Sequence, residues 1–381
     1  MEPSTSEDQL AAGFIIDERD SRHVLTRILQ FVLKPLKPRL MQAKKLPDDA
    51  TRLTATRRCR RHCQNTEREI DGVWIYELRK RRRSDREQDA SESSPPRQRI
   101  LYYAGGGWQM PPSDHHWAFC TELVRRLENT CVTLVSYPLA PKAPVSVAFP
   151  RIEKVYKELL LESTKAGESL VVAGDSSGGN IALCVVAWTL RFQDSQPAKP
   201  PVAVLVISPT TDLRHDMEAI KRVDKHDPIH TYQSILDTAK AWCPGPVSPE
   251  RGQVDDDDKD NDYDGSPAAR TKGVADGADW GFEDPRVSPI QADLSYLVRH
   301  GVSVHGVTGS YDVLEPEAIA FRDKCQRHGV AGHWLSWHGQ MHCFPLTFRY
   351  KLKEGREGLE WIIRLLRQQQ SQTTHTLEQL K

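Results

Sequence analysis

The run Ser169–Ala173 (SLVVA) passes directly into Gly174-Asp175-Ser176-Ser177-Gly178-Gly179-Asn180 and then into a second apolar run, Ile181–Leu190. The first run is short and rich in β-branched residues, as a buried strand is, and the second is long enough for a helix. A strand that turns into a helix through glycines fits one arrangement best, a sharp reversal at the edge of a parallel sheet. The G-x-S-x-G spacing places Ser176 at the apex of that reversal, with Gly174 and Gly178 leaving room for the two backbones to approach. A serine so placed stands above the sheet edge with a helix N-terminus aimed at it, where the helix dipole and free N–H groups favour a developing oxyanion. The competing reading is a glycine-rich turn that binds phosphate or only packs. The rest of the chain decides between the two.

Continuous apolar runs recur at Arg99–Ala104, Cys131–Tyr137, Val202–Ser208, Val302–Val307 and His333–Trp337, and Asp71–Leu78 alternates like a strand. Helical patterns lie between them, at His116–Leu127, Val145–Leu161, Asn180–Arg191, Glu315–Arg327 and Glu354–Gln368. Strands without alternation, separated by helices, predict an α/β fold with a mostly parallel central sheet flanked by helices.

A serine hydroxyl needs a base, and the base needs an orienting acid. On a sheet of this kind these groups gather at the carboxyl ends of the strands. Asp312 follows one strand in Thr308-Gly309-Ser310-Tyr311-Asp312-Val313-Leu314, and His338 and His342 follow the next. On spacing alone either histidine could be the base. Tyr103-Ala104-Gly105-Gly106-Gly107-Trp108 follows the first internal strand, and its glycines allow close backbone approach to a substrate oxygen. Gly105, Gly106, Gly107 and the N–H of Ser177 are therefore the candidate oxyanion donors. Trp108, Gln109, His115 and His116 line the mouth of the pocket or are ordinary packing.

Composition bounds the rest. Of 381 residues, 52 are basic and 52 acidic, so nothing global argues for nucleic acid or an anionic membrane. The polar start carries no secretory signal pattern, and Val24–Met41 contains too many charges and prolines to span a membrane. With no such signal, the eight cysteines read as reduced thiols of a cytoplasmic protein. Residues 1–70 are expected to form an N-terminal extension with a helical cap, its amphipathic helix packing Val24, Leu25, Ile28, Leu29 and Val32 on a main domain at 71–370; peripheral membrane contact is the alternative. The basic run Lys80–Arg86 reads as a solvated hairpin loop and 244–284 as a disordered acidic insertion. Residues 371–381 are expected to form a flexible tail. Cys59-Arg60-Arg61-His62-Cys63 lacks the second ligand pair a structural zinc wants, and Asp260-x-Asp262-x-Asp264-Gly265 lacks the acidic twelfth position of a calcium loop, so neither implies a metal.

Taken together, the motifs resemble those of the hormone-sensitive-lipase-like, or fold-3, branch of the α/β-hydrolases. That branch carries HGGG, YRLAP, GDSAGGN, D-x-L and HxF in order. This chain has AGGG at Ala104–Gly107, YPLAP at Tyr137–Pro141, GDSSGGN at Gly174–Asn180, DVL at Asp312–Leu314 and HCF at His342–Phe344. Ser288-Pro289 with Ala292-Asp293-Leu294 resembles a further segment of the branch. The resemblance covers about Leu101–Leu366 and implies Ser176 as nucleophile, Asp312 as acid and His342 as base, with His338 a neighbour. It implies cofactor-independent cleavage of a small-molecule ester, of esterase, lipase or deacetylase type, with relatives in natural-product pathways. The same fold also supports cyclases, condensing enzymes, acyl transferases and ligand-binding pseudoenzymes. One position departs: Ala104 stands where the branch has the histidine that shapes the glycine loop.

Overall fold

The computed structural model of the protein describes residues 13–37, 52–81, 98–245 and 280–379. In chain order the strands are β1 (Phe14–Arg19), β2 (Cys63–Ile70), β3 (Val73–Lys80), β4 (Gln98–Tyr103), β5 (Thr130–Ser136), β6 (Ser169–Asp175), β7 (Ala203–Ile207), β8 (Ser303–Tyr311) and β9 (Gly332–Met341). They form one nine-stranded sheet in the order β1-β9-β8-β7-β6-β4-β5-β3-β2. β3 pairs antiparallel with both β2 and β5, and every other pairing is parallel. The helices are α1 (Val24–Leu33), α2 (Arg57–His62), α3 (Asp114–Arg126), α4 (Val145–Ala166), α5 (Ser177–Thr189), α6 (Met217–Asp224), α7 (Tyr232–Trp242), α8 (Ser295–Arg299), α9 (Glu315–Arg327) and α10 (Lys353–Gln379).

The sheet is covered on both faces. One core cluster joins Leu101, Tyr103 and Val172 to α4 and α5, through Phe149, Ile152, Tyr156, Ile181 and Val185. The other joins Tyr102, Val171 and Leu205 to α3 and α10, through Trp117, Phe119, Leu123, Ile362 and Leu366. Burial on both sides is why β4, β5 and β7 are continuous apolar runs and legible as strands.

The order of connection positions the site. β4 pairs with β5 on one side and β6 on the other, so the chain reverses its direction of travel across the sheet at β4. Ligands in open α/β sheets sit outside the strand carboxyl ends at such a reversal. The glycine loop leaves β4 and the Ser176 turn leaves β6, so adjacent strands deliver the two segments side by side. Likewise β8 and β9 are neighbours and deliver Asp312 and His342 together.

The N-terminal region differs from its expected role as an extension and cap. Phe14–Arg19 adds an edge strand parallel to β9, and Cys63–Ile70 adds the opposite edge through β3. Edge strands carry charged, half-exposed residues, which hides their period: β2 reads CQNTEREI. Helix α1 is present, but its face is reversed from expectation. Val24, Leu25, Ile28 and Val32 are exposed, and Thr26 and Gln30 are buried. The buried Glu354 carboxylate explains the reversal, because it accepts from Thr26 Oγ1 (2.5 Å) and from the His23 N–H. Gln30 Nε2 donates to the Gly339 carbonyl (2.8 Å). Leaving those acceptors unmet would cost more than exposing methyl groups on a surface helix. Leu29 and Leu33 still pack against the core.

Helix α10 runs to Gln379, through most of the segment expected to form a tail. Its Gln and Glu residues are good helix formers, so a polar composition alone does not stop a helix already nucleated on the core. Most of the basic run after Lys80, most of the acidic insertion and the Asp260–Gly265 segment lie outside the described residues. No helix among the described residues is long and apolar enough to cross a membrane.

Candidate active site

Ser176 lies between β6 and α5 with φ 52° and ψ −124°, a conformation that L side chains rarely adopt. The turn is over-determined. The Ser176 N–H donates to the Ile207 carbonyl (2.9 Å), and the Ser176 carbonyl accepts from Asn180 N–H (3.1 Å). Asn180 Nδ2 in turn donates to the carbonyls of Thr210 (3.1 Å) and Val287 (2.8 Å). Close approach explains the glycine at 178, where a Cβ would lie 2.1 Å from the Tyr103 carbonyl oxygen. Gly178→Ala is therefore expected to destabilise the protein by about 3 kcal/mol or more, through backbone that cannot give way. Urea denaturation reads this directly, and unchanged stability would show that the turn is looser than described.

The glycine loop is fixed to this turn through Asp175. The Asp175 carboxylate is fully buried and accepts from the Gly105 N–H (3.1 Å) and Tyr102 OH (2.7 Å) on Oδ1, while His116 Nε2 lies 3.2 Å from Oδ2. Burial alone would raise this carboxyl, yet His116, Tyr102 and the Gly105 amide together hold it below the usual carboxylate range. Trp108 N–H donates to Ser177 Oγ (3.2 Å), closing the loop's far end on α5. Trp108 is buried and stacks on Trp242 of α7, ring centroids 5.6 Å apart, so the helices between β7 and β8 roof the loop. Of the glycines proposed from sequence, Gly105 has its amide engaged by Asp175. Gly106 and Gly107 turn through φ 138° and 60°.

Asp312 and His342 form a buried pair, His342 Nδ1 to Asp312 Oδ2 at 2.9 Å. Asp312 Oδ1 also accepts from the Leu314 N–H (3.0 Å). Burial opposes charge on the imidazole, but the Asp312 carboxylate and the Cys343 thiol overrule it, and His342 sits well above the ordinary histidine range. Asp312 is correspondingly lowered, against its burial, chiefly by His342. His342 Nε2 lies 3.4 Å from Cys343 Sγ, and Ser176 Oγ makes no hydrogen bond among the described residues. Nucleophile–base contacts are often long in unliganded enzymes and tighten around substrate. His338, the other histidine allowed by spacing, faces Ser310 Oγ at 3.0 Å and not Asp312.

Some of the environment gave no sequence signal. His230 packs edge-on against His342, with centroids 4.6 Å apart, and burial followed by the His342 charge pushes it down to about 3. Asp227 Oδ2 accepts from the Val313 N–H (2.9 Å); burial and then Asp312 push its carboxyl up to about 6. Burial and then Asp312 also raise Glu315, to about 7. Asp227 and His230 come from the segment between α6 and α7, where no motif marks them. Of the two histidines open to either pocket lining or packing, His116 lies 3.2 Å from Asp175 and His115 meets Tyr350 OH at 3.1 Å.

The family model described as the alpha/beta hydrolase fold matches residues 100–255. An esterase of Acinetobacter venetianus is 27% identical over 244 residues, covering 64% of this chain and 66% of the relative. The chain spans about half to two thirds of the length of the curated relatives it matches. Among solved structures, carboxyl esterase 2 of the mycorrhizal fungus Tuber melanosporum superposes with a TM-score of 0.66 at 18% identity, over 92% of this chain and 99% of that one. A hormone-sensitive lipase from a metagenome library gives 0.61 at 17% identity, over 91% and 98%. The fold is that of the α/β-hydrolases. Residues 100–255 match that fold's family model, and hormone-sensitive lipase homologues are among the solved structures that share the fold.

Proposed function

We propose that the protein hydrolyses carboxylic esters through an acyl-enzyme on Ser176, without a cofactor. The observation that carries this reading is the Asp312–His342 pair, 2.9 Å apart, delivered by β8 and β9 to the sheet edge at which the strained Ser176 turn ends β6. The esterases among its relatives support the same substrate class.

In this reading His342 Nε2 takes the Ser176 proton as Oγ attacks the acyl carbon. Asp312 accepts from Nδ1–H, fixing the tautomer that leaves Nε2 free to act as base, and stabilises the imidazolium. The carbonyl oxygen becomes an oxyanion, held by backbone N–H groups of Ser177, Gly106 and Gly107; the Gly105 amide is already committed to Asp175. The leaving alcohol takes the proton from His342. Water then gives a proton to the same nitrogen, its hydroxide attacks the acyl carbon, and the acid departs as Ser176 recovers its proton.

The test is turnover of a short-chain aryl ester together with labelling by an organophosphonate, the labelled residue identified by mass spectrometry. Turnover with label on Ser176 is expected. Folded protein that neither turns over nor labels would refute the proposal. The base is assigned separately. His342→Ala is expected to lose at least about 10³-fold in kcat, and His338→Ala to stay within a few fold, because only the former faces Asp312. The reverse pattern in the two variants would overturn the assignment.

A further inference from the structure

We propose that His116 is a positioning residue for the nucleophile turn: from helix α3 it locks the Asp175 carboxylate, and through it the Gly105 peptide, against Ser176. This rests on the reading of Ser176 as nucleophile. The head of the glycine loop is Ala104, which is buried and brings no polar side chain, its carbonyl accepting from Tyr137 OH (3.0 Å). The loop is instead held from its neighbours, and the chain of contacts can be followed atom by atom.

His116 is the third residue of α3, whose N-cap is Ser113. In the usual capping box a Glu or Gln at this position accepts from the N-cap backbone N–H. Here the imidazole does so, with Ser113 N–H donating to His116 Nδ1 (2.9 Å) and Ser113 Oγ 3.0 Å from the same nitrogen. A backbone N–H can only donate, so Nδ1 must be the acceptor. The ring proton is then on Nε2, 3.2 Å from Asp175 Oδ2. One histidine thus ends a helix and presents a fixed donor to a buried carboxylate.

What the donor holds is the carboxylate's orientation. Oδ1 receives Tyr102 OH and Gly105 N–H, and among the described residues Oδ2 otherwise meets the Cys343 thiol, at 3.8 Å. Without His116 a buried carboxylate has an unmet oxygen, and it will rotate, take up a proton or draw in water. Each outcome moves Gly105. The fit at that residue is tight, since a Cβ on Gly105 would lie 2.5 Å from Asp175 Oδ2 and 2.9 Å from Ser176 Cβ. Gly105 leads directly into the Gly106 and Gly107 amides, so a shift there misaims the oxyanion donors without touching the surfaces that bind substrate.

The expected result is a split between kinetic constants. His116→Ala should lower kcat for an aryl ester by about 10- to 100-fold with KM unchanged, the size of effect that follows from small misplacement of catalytic groups. His116→Gln should restore most of that loss, because its amide offers an acceptor to Ser113 N–H and a donor to Asp175 on one group. Wild-type kcat in His116→Ala would overturn the proposal. So would a failure of His116→Gln to recover activity when its melting temperature matches wild type, since the histidine would then be a helix cap alone. A readout that needs no turnover separates this inference from the hydrolase reading. In protein with ¹⁵N-labelled histidine, His116 should show the Nε2-protonated tautomer, and Asp175→Asn should shift its Nε2 resonance. The opposite tautomer, or no response to Asp175→Asn, overturns the positioning role whatever the protein catalyses. An inactive wild type with the expected His116 signature overturns the esterase reading instead.

Discussion

Ser176→Ala is expected to lower kcat for an aryl ester by about 10⁴-fold or more while leaving the fold and ester binding intact. The loss is large because no other group can take the serine's place. Ser177 Oγ, the next hydroxyl, accepts from the Trp108 N–H at 3.2 Å on the glycine-loop side of the turn. Thiol chemistry from Cys343 is disfavoured because burial, partly offset by His342, pushes its pKa up to about 11. Residual rate should come from the oxyanion donors acting on bound ester. Burst-phase release of the aryl alcohol and covalent labelling should both vanish in Ser176→Ala. Near-normal turnover would mean that the nucleophile lies elsewhere. A companion variant tests the strain. Ser176→Gly should be more stable than Ser176→Ala, by about 1 kcal/mol, because glycine accepts φ 52° without penalty and alanine does not. The usual order of those two residues is the reverse, so thermal denaturation of the pair reports whether the turn stores strain.

The parts of this site that were legible in the sequence are those where backbone geometry dictates the residue. A serine on a strained turn between close backbones demands G-x-S-x-G, and the order of strands then points to Asp312 and to a histidine after β9. The difference between His338 and His342 was not legible from spacing, because they lie four residues apart at the end of one strand; in the structure His338 faces Ser310 and His342 faces Asp312. The central strands were legible because burial on both faces leaves continuous apolar runs. The edge strands were not, since Phe14–Arg19 and Cys63–Ile70 carry charges that solvent tolerates at an edge. The orientation of α1 is not legible for a related reason. Amphipathicity points the apolar stripe inward only when the surface beneath it is apolar, and here that surface includes the buried Glu354 carboxylate and the Gly339 carbonyl. The contact of His116 with Asp175 was not legible, because the two are distant in sequence and no spacing links them.

Asp312→Asn is the second substitution with a large expected effect, and pH resolves its cause. Burial lowers His342, and the Asp312 carboxylate together with Cys343 raises it well above the ordinary histidine range of about 6.5. The base works only when neutral. In the wild type, the neutral fraction therefore falls as pH drops through a raised pKa, and the acid limb of kcat/KM should lie above that ordinary range. Replacing the carboxylate with an amide removes the charge but not the burial, so the limb should move to lower pH. The plateau should fall by about 10⁴-fold, because an amide can present N–H to Nδ1 and favour the tautomer that protonates Nε2. The two changes together, lower plateau and displaced limb, mark loss of an electrostatic and orienting partner. A lower plateau with an unmoved limb would mean that Asp312 only supports the fold. Asp227 offers a graded version. Held up to about 6 by burial and by Asp312, it becomes a second negative charge behind the pair as pH rises. Asp227→Asn should thus shift the limb by less than Asp312→Asn, with most of the plateau kept, because Asp227 acts on Asp312 and, among the described residues, bonds to the backbone N–H groups of Ile229, His230 and Val313 and not to His342.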